Sequence, residues 1–173
     1  LAYVDGPAPP WQAALLAGVA NVFPTPIRAI AAPVDLQPCF VSSRQQHHAT
    51  LVLAALLRHR PDPASKICGI VQVDLFIPVL TFVFGQAQLD GPGAVVSTYR
   101  LRSEFYGLPG DEGVLVERTI KECIHELGHS FGLVHCQDYS CVMHASASVD
   151  EVDIKGAGFC RRCGAVLEGK GWA

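Results

Sequence analysis

The sequence has no apolar run long enough to cross a membrane, and it carries little charge. Its longest apolar stretches, "TLVLAALL" and "DLFIPVLTFVFG", are much shorter than the ~20 residues that a membrane-spanning helix needs. Charged residues make up 17% of the 173 residues, with 13 Lys and Arg against 16 Asp and Glu, and no basic block stands out beyond "CRRCG". We therefore expect no membrane span and no nucleic-acid partner.

Export signals are also missing from the first residues. The stretch "LAYVDGPAPPWQ" lacks the basic region and the continuous apolar core of a secretory leader. The chain has seven cysteines, an odd number, and four of them form two close pairs. Such short separations are more typical of metal ligands in a reducing compartment than of disulfides. We expect a cytoplasmic, monomeric protein.

The remaining pattern predicts one domain of the α/β (α+β) class over residues 1–173. Half of the residues are hydrophobic, and a chain of this length buries about 70% of the surface that it exposes when unfolded. Short β-branched or aromatic runs alternate with helical patterns in the first half. We predict helices at 11–23 and 43–60, the latter capped by Ser42 or Ser43, and strands at 26–36, 66–76, 80–89 and 93–101, the last with one open edge.

A long central helix is predicted over residues 113–131. Asp111 favours its N-terminus, and Gly132 ends it. At 3.6 residues per turn, His125 and His129 lie roughly 40° apart around the helix axis. An apolar stripe on the opposite side is expected to face the core; it consists of Val116, Ile120, Cys123, Ile124, Leu127 and Phe131.

Three histidines and one glutamate have the spacing of a catalytic zinc site. His125 and His129, one helical turn apart, can chelate one Zn²⁺. The turn after the helix then allows His135 to return as a third ligand. Three protein ligands leave a fourth position for a water molecule, and Glu126 is placed to reach that water. The alternative is that these are solvent-exposed helix residues without a shared role.

Four cysteines downstream have the composition of a structural zinc site. Cys136, Cys141, Cys160 and Cys163 would supply four thiolates, which close the metal's coordination sphere. In small peptides such a zinc contributes about 10–16 kcal/mol of apparent folding free energy. Two alternatives remain open, a pair of disulfides and four unrelated thiols. The other three cysteines lie in apolar surroundings and are expected to be buried thiols: Cys39, Cys68 and Cys123.

The histidine motif resembles a known signature. "HELGHSFGLVH" is similar to the HExxHxxGxxH sequence of the metzincin metallopeptidases. Met143, eight residues after His135, stands where that clan has its Met-turn, which implies an apolar floor beneath the zinc. Ala145 stands where some metzincin branches carry a tyrosine. The resemblance therefore implies no role for such a tyrosine here.

Over residues 118–163 the chain resembles one metzincin family, the archaemetzincins. The shared features are the cysteine directly after the third histidine, a second cysteine five residues later, the methionine and a closing CxxC. This resemblance implies a metzincin-like mixed twisted sheet with an antiparallel edge strand and a central zinc-binding helix. It divides the domain into an N-terminal part, 1–132, and a smaller C-terminal part, 133–173, pinned by a second zinc. Two Zn²⁺ ions per chain are implied.

The same resemblance implies zinc-dependent hydrolysis of peptide bonds in peptide or protein substrates. Glu126 would act as the catalytic base, and the substrate would lie extended along the strand at 93–101. Two other functions stay open. One is a zinc-stabilised binding or scaffold protein with the same fold and little peptidase activity. The other is a zinc-ribbon nucleic-acid module, which leaves the histidines unexplained.

Overall fold

The main sheet is built around two strands in which every residue is buried. Strands β5 (Ile67–Val71) and β8 (Gly93–Ser97) pair in parallel. Parallel strands that are covered on both faces need apolar residues at nearly every position, as these two have. This computed structural model describes residues 1–63 and 65–169. The order of strands in the sheet is β2-β1-β5-β8-β7. The remaining three strands are β1 at Ala2–Tyr3, β2 at Ile30–Ala31 and β7 at Gly85–Ala87.

Helices cover both faces of this sheet. Helices α1 (Gln12–Ala20) and α3 (Glu112–Ser130) share one apolar core, which includes Val96 of β8. Helix α2 (Ala49–Leu56) packs into a second core, which includes Val95. Neighbouring residues of a strand point to opposite faces, so β8 contributes to both cores. The predicted mixed sheet of the α/β (α+β) class is confirmed.

The long helix begins and ends close to the predicted positions. The Asp111 carboxylate accepts the N–H of Val114 at 3.0 Å and caps the N-terminus of α3. At the other end, Gly132 takes a positive φ of 87° and turns the chain back. More of the surface of α3 is buried than its apolar stripe predicts, because the sheet, α1 and the C-terminal segment surround the helix. His125 and Glu126 are consequently buried side chains.

The open edge of the sheet is not the predicted one. Strand β8 ends at Ser97 and lies between β5 and β7, so the prediction of an edge strand over 93–101 is wrong. The antiparallel edge strand is β7 (Gly85–Ala87), which pairs with β8 on one side. The sequence favoured β8 as an edge because its alternation is weak. The weak alternation instead reflects burial on both faces.

The predicted helix over 43–60 begins later than expected. Its first residues form strand β4 (Gln46–His48), and neither Ser42 nor Ser43 caps the helix. Gln45, in the preceding turn, adopts a positive φ of 55°, which is not a helical conformation. The turn therefore leads into strand β4 and not into a longer helix. Strand β4 belongs to a second, smaller sheet of order β3-β4-β6, with β3 at Phe40–Val41 and β6 at Leu75–Phe76.

The C-terminal part contains two helices that were not predicted, α4 (Val149–Ile154) and α5 (Arg161–Glu168). The predicted boundary at 173 lies outside the described residues, which end at Gly169.

None of the helices among the described residues combines the length and apolar character that a membrane crossing requires.

Candidate active site

Helix α3 and the turn that follows it bring three histidines together. His125 and His129 lie one turn apart, with their Nε2 atoms 3.1 Å from each other. After Gly132 the chain reverses and returns His135 to the same place, with ring centroids 5.3 Å and 4.9 Å from those of His125 and His129. One ligand atom from each of the three residues lies within 4.8 Å of the other two.

Hydrogen bonds determine which nitrogen each helical imidazole offers. His125 Nδ1 is 2.8 Å from the carbonyl oxygen of Val142, and His129 Nδ1 is 2.8 Å from that of Leu133. A carbonyl oxygen only accepts, so each Nδ1 carries the proton and each Nε2 presents a lone pair. Two lone pairs at this distance repel each other unless a cation lies between them. Tetrahedral zinc places its nitrogen ligands about 3.3 Å apart, so the donor set fits that ion.

Burial keeps these imidazoles neutral. It lowers the pKa of His125 well below the usual 6.5, and the positive charge of Lys155 lowers it further. The pKa values of His129 and His135 are also lowered, chiefly because neighbouring atoms displace water from the imidazoles, although the side chain of His135 remains exposed on one side. Since only the neutral imidazole binds a metal ion, the site is prepared for one at neutral pH.

Met143 packs directly against the turn of α3 that carries His125 and His129. It is fully buried, and a side chain at Gly128 would place its Cβ 2.4 Å from the methionine sulfur. The carbonyl oxygen of Met143 accepts the N–H of Cys136 at 2.9 Å. The methionine therefore lies against Gly128, between His125 and His129 on the helix, which agrees with the apolar floor that the Met-turn resemblance implies.

Glu126 lies between α3 and the edge strand β7. A Cβ atom at Gly85 would lie 2.6 Å from the Glu126 Cγ and 2.7 Å from its Oε1, so only glycine leaves room for this carboxylate. Burial raises the pKa of Glu126 well above its usual value, and the neighbouring Glu122 raises it further. A cation held by the histidines would act in the opposite direction. Sequence reasoning did not identify the contribution of Gly85.

A cleft of about 710 Å³ runs past the histidines. One wall is formed by β7, Ile77 and residues 80–84, and the other includes Ala145 and Ala147. His125, Glu126, His129 and His135 face this cleft together. Its size is that of ordinary ligand-binding clefts, about 300–1,000 Å³.

Sequence reasoning also missed a buried ion pair at the cleft, whose lining includes Glu122. Lys155 Nζ lies 2.8 Å from Glu122 Oε1, and their side chains are only 1% and 4% exposed. The contact is close, but its angle is unfavourable for a hydrogen bond. Glu122 precedes Glu126 by one helical turn and could have been noticed from that spacing. Lys155 carried no signal, because its partner is 33 residues away in the sequence.

The four paired cysteines form a second cluster beside the first. The sulfurs of Cys136 and Cys160 are 3.7 Å apart, and those of Cys141 and Cys163 are 3.8 Å apart. A disulfide would require about 2.05 Å, and all four residues are free thiols. Zinc thiolates at about 2.3 Å place the sulfurs of a tetrahedral site about 3.8 Å apart. The donor set again fits zinc. Cys39, Cys68 and Cys123 are confirmed as buried thiols.

Backbone N–H groups donate hydrogen bonds to two of these sulfurs. The N–H of Cys160 donates to Cys141 Sγ at 3.3 Å, and the N–H of Asp138 donates to Cys136 Sγ at 3.5 Å. Cys160 directly precedes helix α5, and the N–H of Cys163 is the main cause that lowers the pKa of the Cys160 thiol to about 7. Burial instead raises the pKa of the Cys141 and Cys163 thiols. A thiol with a lowered pKa releases its proton readily to a metal ion.

The fold and the HExxHxxGxxH centre define a zinc metallopeptidase. The model of peptidase family M54 matches residues 40–169, so the chain belongs to that family. The archaemetzincin resemblance is confirmed. The archaemetzincin of Methanocaldococcus jannaschii is 43% identical over 129 residues, which span 75% of this chain and 70% of that protein.

Solved structures agree with the sequence relatives. The crystal structure of archaemetzincin from Methanopyrus kandleri superposes with a TM-score of 0.83 at 36% identity, over 97% of this chain and 92% of that one. A zinc-dependent peptidase from Methanocorpusculum labreanum gives a TM-score of 0.85 at 29% identity, over 96% of this chain and 98% of that one. The likeness therefore extends well beyond the motif-bearing segment.

Proposed function

We propose that the chain hydrolyses peptide bonds in a reaction that uses His125, His129 and His135 as ligands of a catalytic zinc and Glu126 as the base. The observation that carries the proposal is the pair of Nε2 lone pairs 3.1 Å apart, each fixed by a backbone carbonyl at its own Nδ1. Without a cation the two Nε2 lone pairs repel each other, whereas a cation between them is bound by both.

Zinc in this centre would supply a Lewis acid that polarises the scissile carbonyl and makes the attacking water more acidic. Glu126 then accepts the proton of that water and delivers it to the leaving amine. Its position between β7 and α3 holds the carboxylate at the cleft wall, where Gly85 leaves it room. The second residue after Met143 is Ala145, where some metzincins have a tyrosine. In this mechanism Glu126 is therefore the side chain that transfers the proton, and no tyrosine assists it.

The substrate is proposed to bind along β7 and not along β8. Strand β7 pairs with β8 through one edge, and its residues line the cleft beside the histidines. An extended peptide can add to such an edge through main-chain hydrogen bonds. Because β8 is enclosed between β5 and β7, it offers no such edge.

A second zinc is proposed at Cys136, Cys141, Cys160 and Cys163, which gives two ions per chain. The support is the tetrahedral spacing of the sulfurs and their burial; Cys160 is the most exposed of the four. Four protein ligands leave no position for a water, so this zinc would serve structure alone.

Glu126→Gln tests the catalytic proposal. The amide keeps the shape of the side chain but cannot accept the proton, so we expect cleavage to fall by about 100-fold or more while zinc content stays unchanged. Cleavage of a mixed peptide library would be followed by mass spectrometry, with zinc measured on the same samples.

Glu117→Gln is the matched control, because Glu117 lies on the same helix, pairs with Lys121 at 2.8 Å and is largely exposed. It should retain full activity. Full activity in Glu126→Gln would exclude the glutamate as the base. A wild-type protein that binds zinc but cleaves no member of the library would favour the scaffold function instead.

A further inference from the structure

A smaller cavity adjoins the catalytic cleft. It encloses about 410 Å³, and two residues of the cleft, Phe82 and Ala147, also line this cavity. Arg118, in its wall, precedes Glu126 by eight residues of α3, which corresponds to about 12 Å along the helix axis. The cavity is therefore continuous with the cleft but lies away from the catalytic residues, and the proposed mechanism does not use it.

An exposed apolar patch borders this cavity; it consists of Tyr99, Phe105, Tyr106 and Leu108. The ring centroids of Tyr99 and Phe105 are 5.4 Å apart, and those of Phe105 and Tyr106 are 5.0 Å apart. These three residues are 41–42% exposed, and Leu108, which lines the cavity together with Tyr106, is 60% exposed. Contiguous apolar surface of this kind is typical of binding sites. The patch and the cavity form one surface that a ligand in the cleft can reach.

Arg100 connects the cleft to the apolar patch. Its guanidinium carbon lies 4.3 Å from the ring centroid of Phe82, in the cleft, and 4.8 Å from that of Phe105, in the patch. The Tyr106 hydroxyl donates to the carbonyl oxygen of Arg100 at 2.9 Å. These contacts hold the rings in one arrangement before a ligand binds, which reduces the entropic cost of binding.

The charges in the cavity wall do not favour an anionic ligand. Arg100 donates to both carboxylate oxygens of Asp74 at 2.7 Å, and Arg118 donates to those of Asp153 at 2.7 and 2.6 Å. Such bidentate pairs neutralise both guanidinium groups. The remaining charged side chain in the lining is the carboxylate of Asp150. An apolar side chain therefore suits this cavity better than an acidic one.

We propose that the cavity and the apolar patch form a remote subsite, which binds a large apolar side chain of the peptide whose scissile bond lies at the histidines; this inference rests on the proposed function. The side chain contacts Phe82, Tyr106 and Leu108, which line the cavity. An extended chain covers about 12 Å in about four residues. The recognised side chain therefore lies about four residues from the scissile bond, and the substrates are polypeptides long enough to reach it.

Alanine peptides that carry a hydroxamate test the proposal, because the hydroxamate binds the catalytic zinc and fixes the register of the peptide. One series has the hydroxamate at its N-terminal end and the other at its C-terminal end, and each places a single phenylalanine at successive positions. Affinity for the zinc-loaded protein would be measured by calorimetry. In one series we expect binding to tighten about tenfold when the phenylalanine stands about four residues from the hydroxamate, since burial of its ring contributes at least this much. Serine, glutamate or lysine at that position should give no such gain.

Leu108→Asp tests the location of the subsite. It introduces a charge into the apolar lining, so the gain from phenylalanine should disappear. Leu51→Asp is the matched control, because Leu51 is 47% exposed and lies on α2, against the opposite face of the main sheet. This variant should keep the full gain. Thermal unfolding of both variants checks that they fold.

The outcomes separate this inference from the proposed function. Hydroxamates that bind equally well with phenylalanine at every position would overturn the subsite alone, because the catalytic zinc would still be present. A gain that persists in Leu108→Asp, or a larger gain from glutamate than from phenylalanine, would also overturn it. If no hydroxamate binds, the catalytic zinc is refuted and the subsite with it. Because the readout is affinity, none of these results depends on turnover.

Discussion

The two candidate metal centres meet at one peptide bond, yet they differ in access to solvent. His135 ends the first ligand set and Cys136 begins the second. The histidine centre opens into a cleft of about 710 Å³, and His135 itself is exposed. The cysteine centre is closed by four thiols, of which only Cys160 is partly exposed. An open coordination position suits chemistry, whereas a closed tetrahedron suits structure.

The comparison shows how one segment serves both centres. Between Cys141 and Cys160 the chain supplies Met143 beneath the histidines and Lys155 beside Glu122. The cysteine cluster fixes both ends of this segment. We therefore expect damage at the closed centre to reach the open one, whereas damage at the open centre should remain local.

The largest effect is expected from Cys160→Ser/Cys163→Ser. A structural zinc that contributes on the order of 10 kcal/mol is comparable with the whole stability of an ordinary domain, about 5–15 kcal/mol. The C-terminal part should lose its structure, and activity should disappear with it. Hydrogen exchange of residues 136–169 and the zinc content measure this loss.

Cys39→Ser is the matched control, because Cys39 is buried but lies outside the cluster. It should keep two zincs and most of the activity. A double cysteine variant that folds and cleaves normally would contradict the structural role of the second centre.

A smaller effect is expected from Lys155→Met, which removes the ion pair between Lys155 and Glu122. The substitution leaves the Glu122 carboxylate buried without its counter-charge, at a cost of about 3–5 kcal/mol. Chemical denaturation measures the loss of stability. The double variant Glu122→Leu/Lys155→Met removes both charges and should recover most of it. An equal loss in the double variant would mean that the lysine acts through packing and not through charge.

The smallest change in stability is expected from Gly85→Ala, which should affect activity more strongly. The added Cβ displaces the Glu126 carboxylate, and overpacking of this kind costs about 1–3 kcal/mol. Displacement of the base by about 1 Å should lower kcat by about 100-fold. Gly164→Ala is the control, since a Cβ there meets no atom within 4 Å. Equal kinetics in the two variants would mean that Glu126 tolerates the shift.

The features that could be predicted from the sequence are those that depend on residues close to one another along the chain. Spacing along one helix predicts that His125, His129 and Glu126 lie together, and the close cysteine pairs predict a cluster of their own; the structure brings both groups together. The helix ends were predictable because Asp111 and Gly132 act within one turn of the chain. These features depend on contacts between residues that are near one another in the sequence.

Features that depend on distant pairing could not be predicted in the same way. Residues 93–101 and 80–89 are both apolar, and only the register with β5 decides which of them lies at the edge. Residues 46–48 continue a helical pattern, but pairing with β6 makes them a strand. Lys155 is a lone cation in the sequence, and its role follows only from its contact with Glu122.

Stepwise removal of zinc tests the central claim that the open centre performs chemistry and the closed centre maintains structure. A chelator would be added in increments while zinc content, peptide cleavage and hydrogen exchange of residues 136–169 are followed together. We expect cleavage to vanish with the first zinc while protection of this segment persists, and protection to vanish with the second. Cleavage that survives the loss of the first zinc, or protection that disappears before cleavage does, would contradict the account.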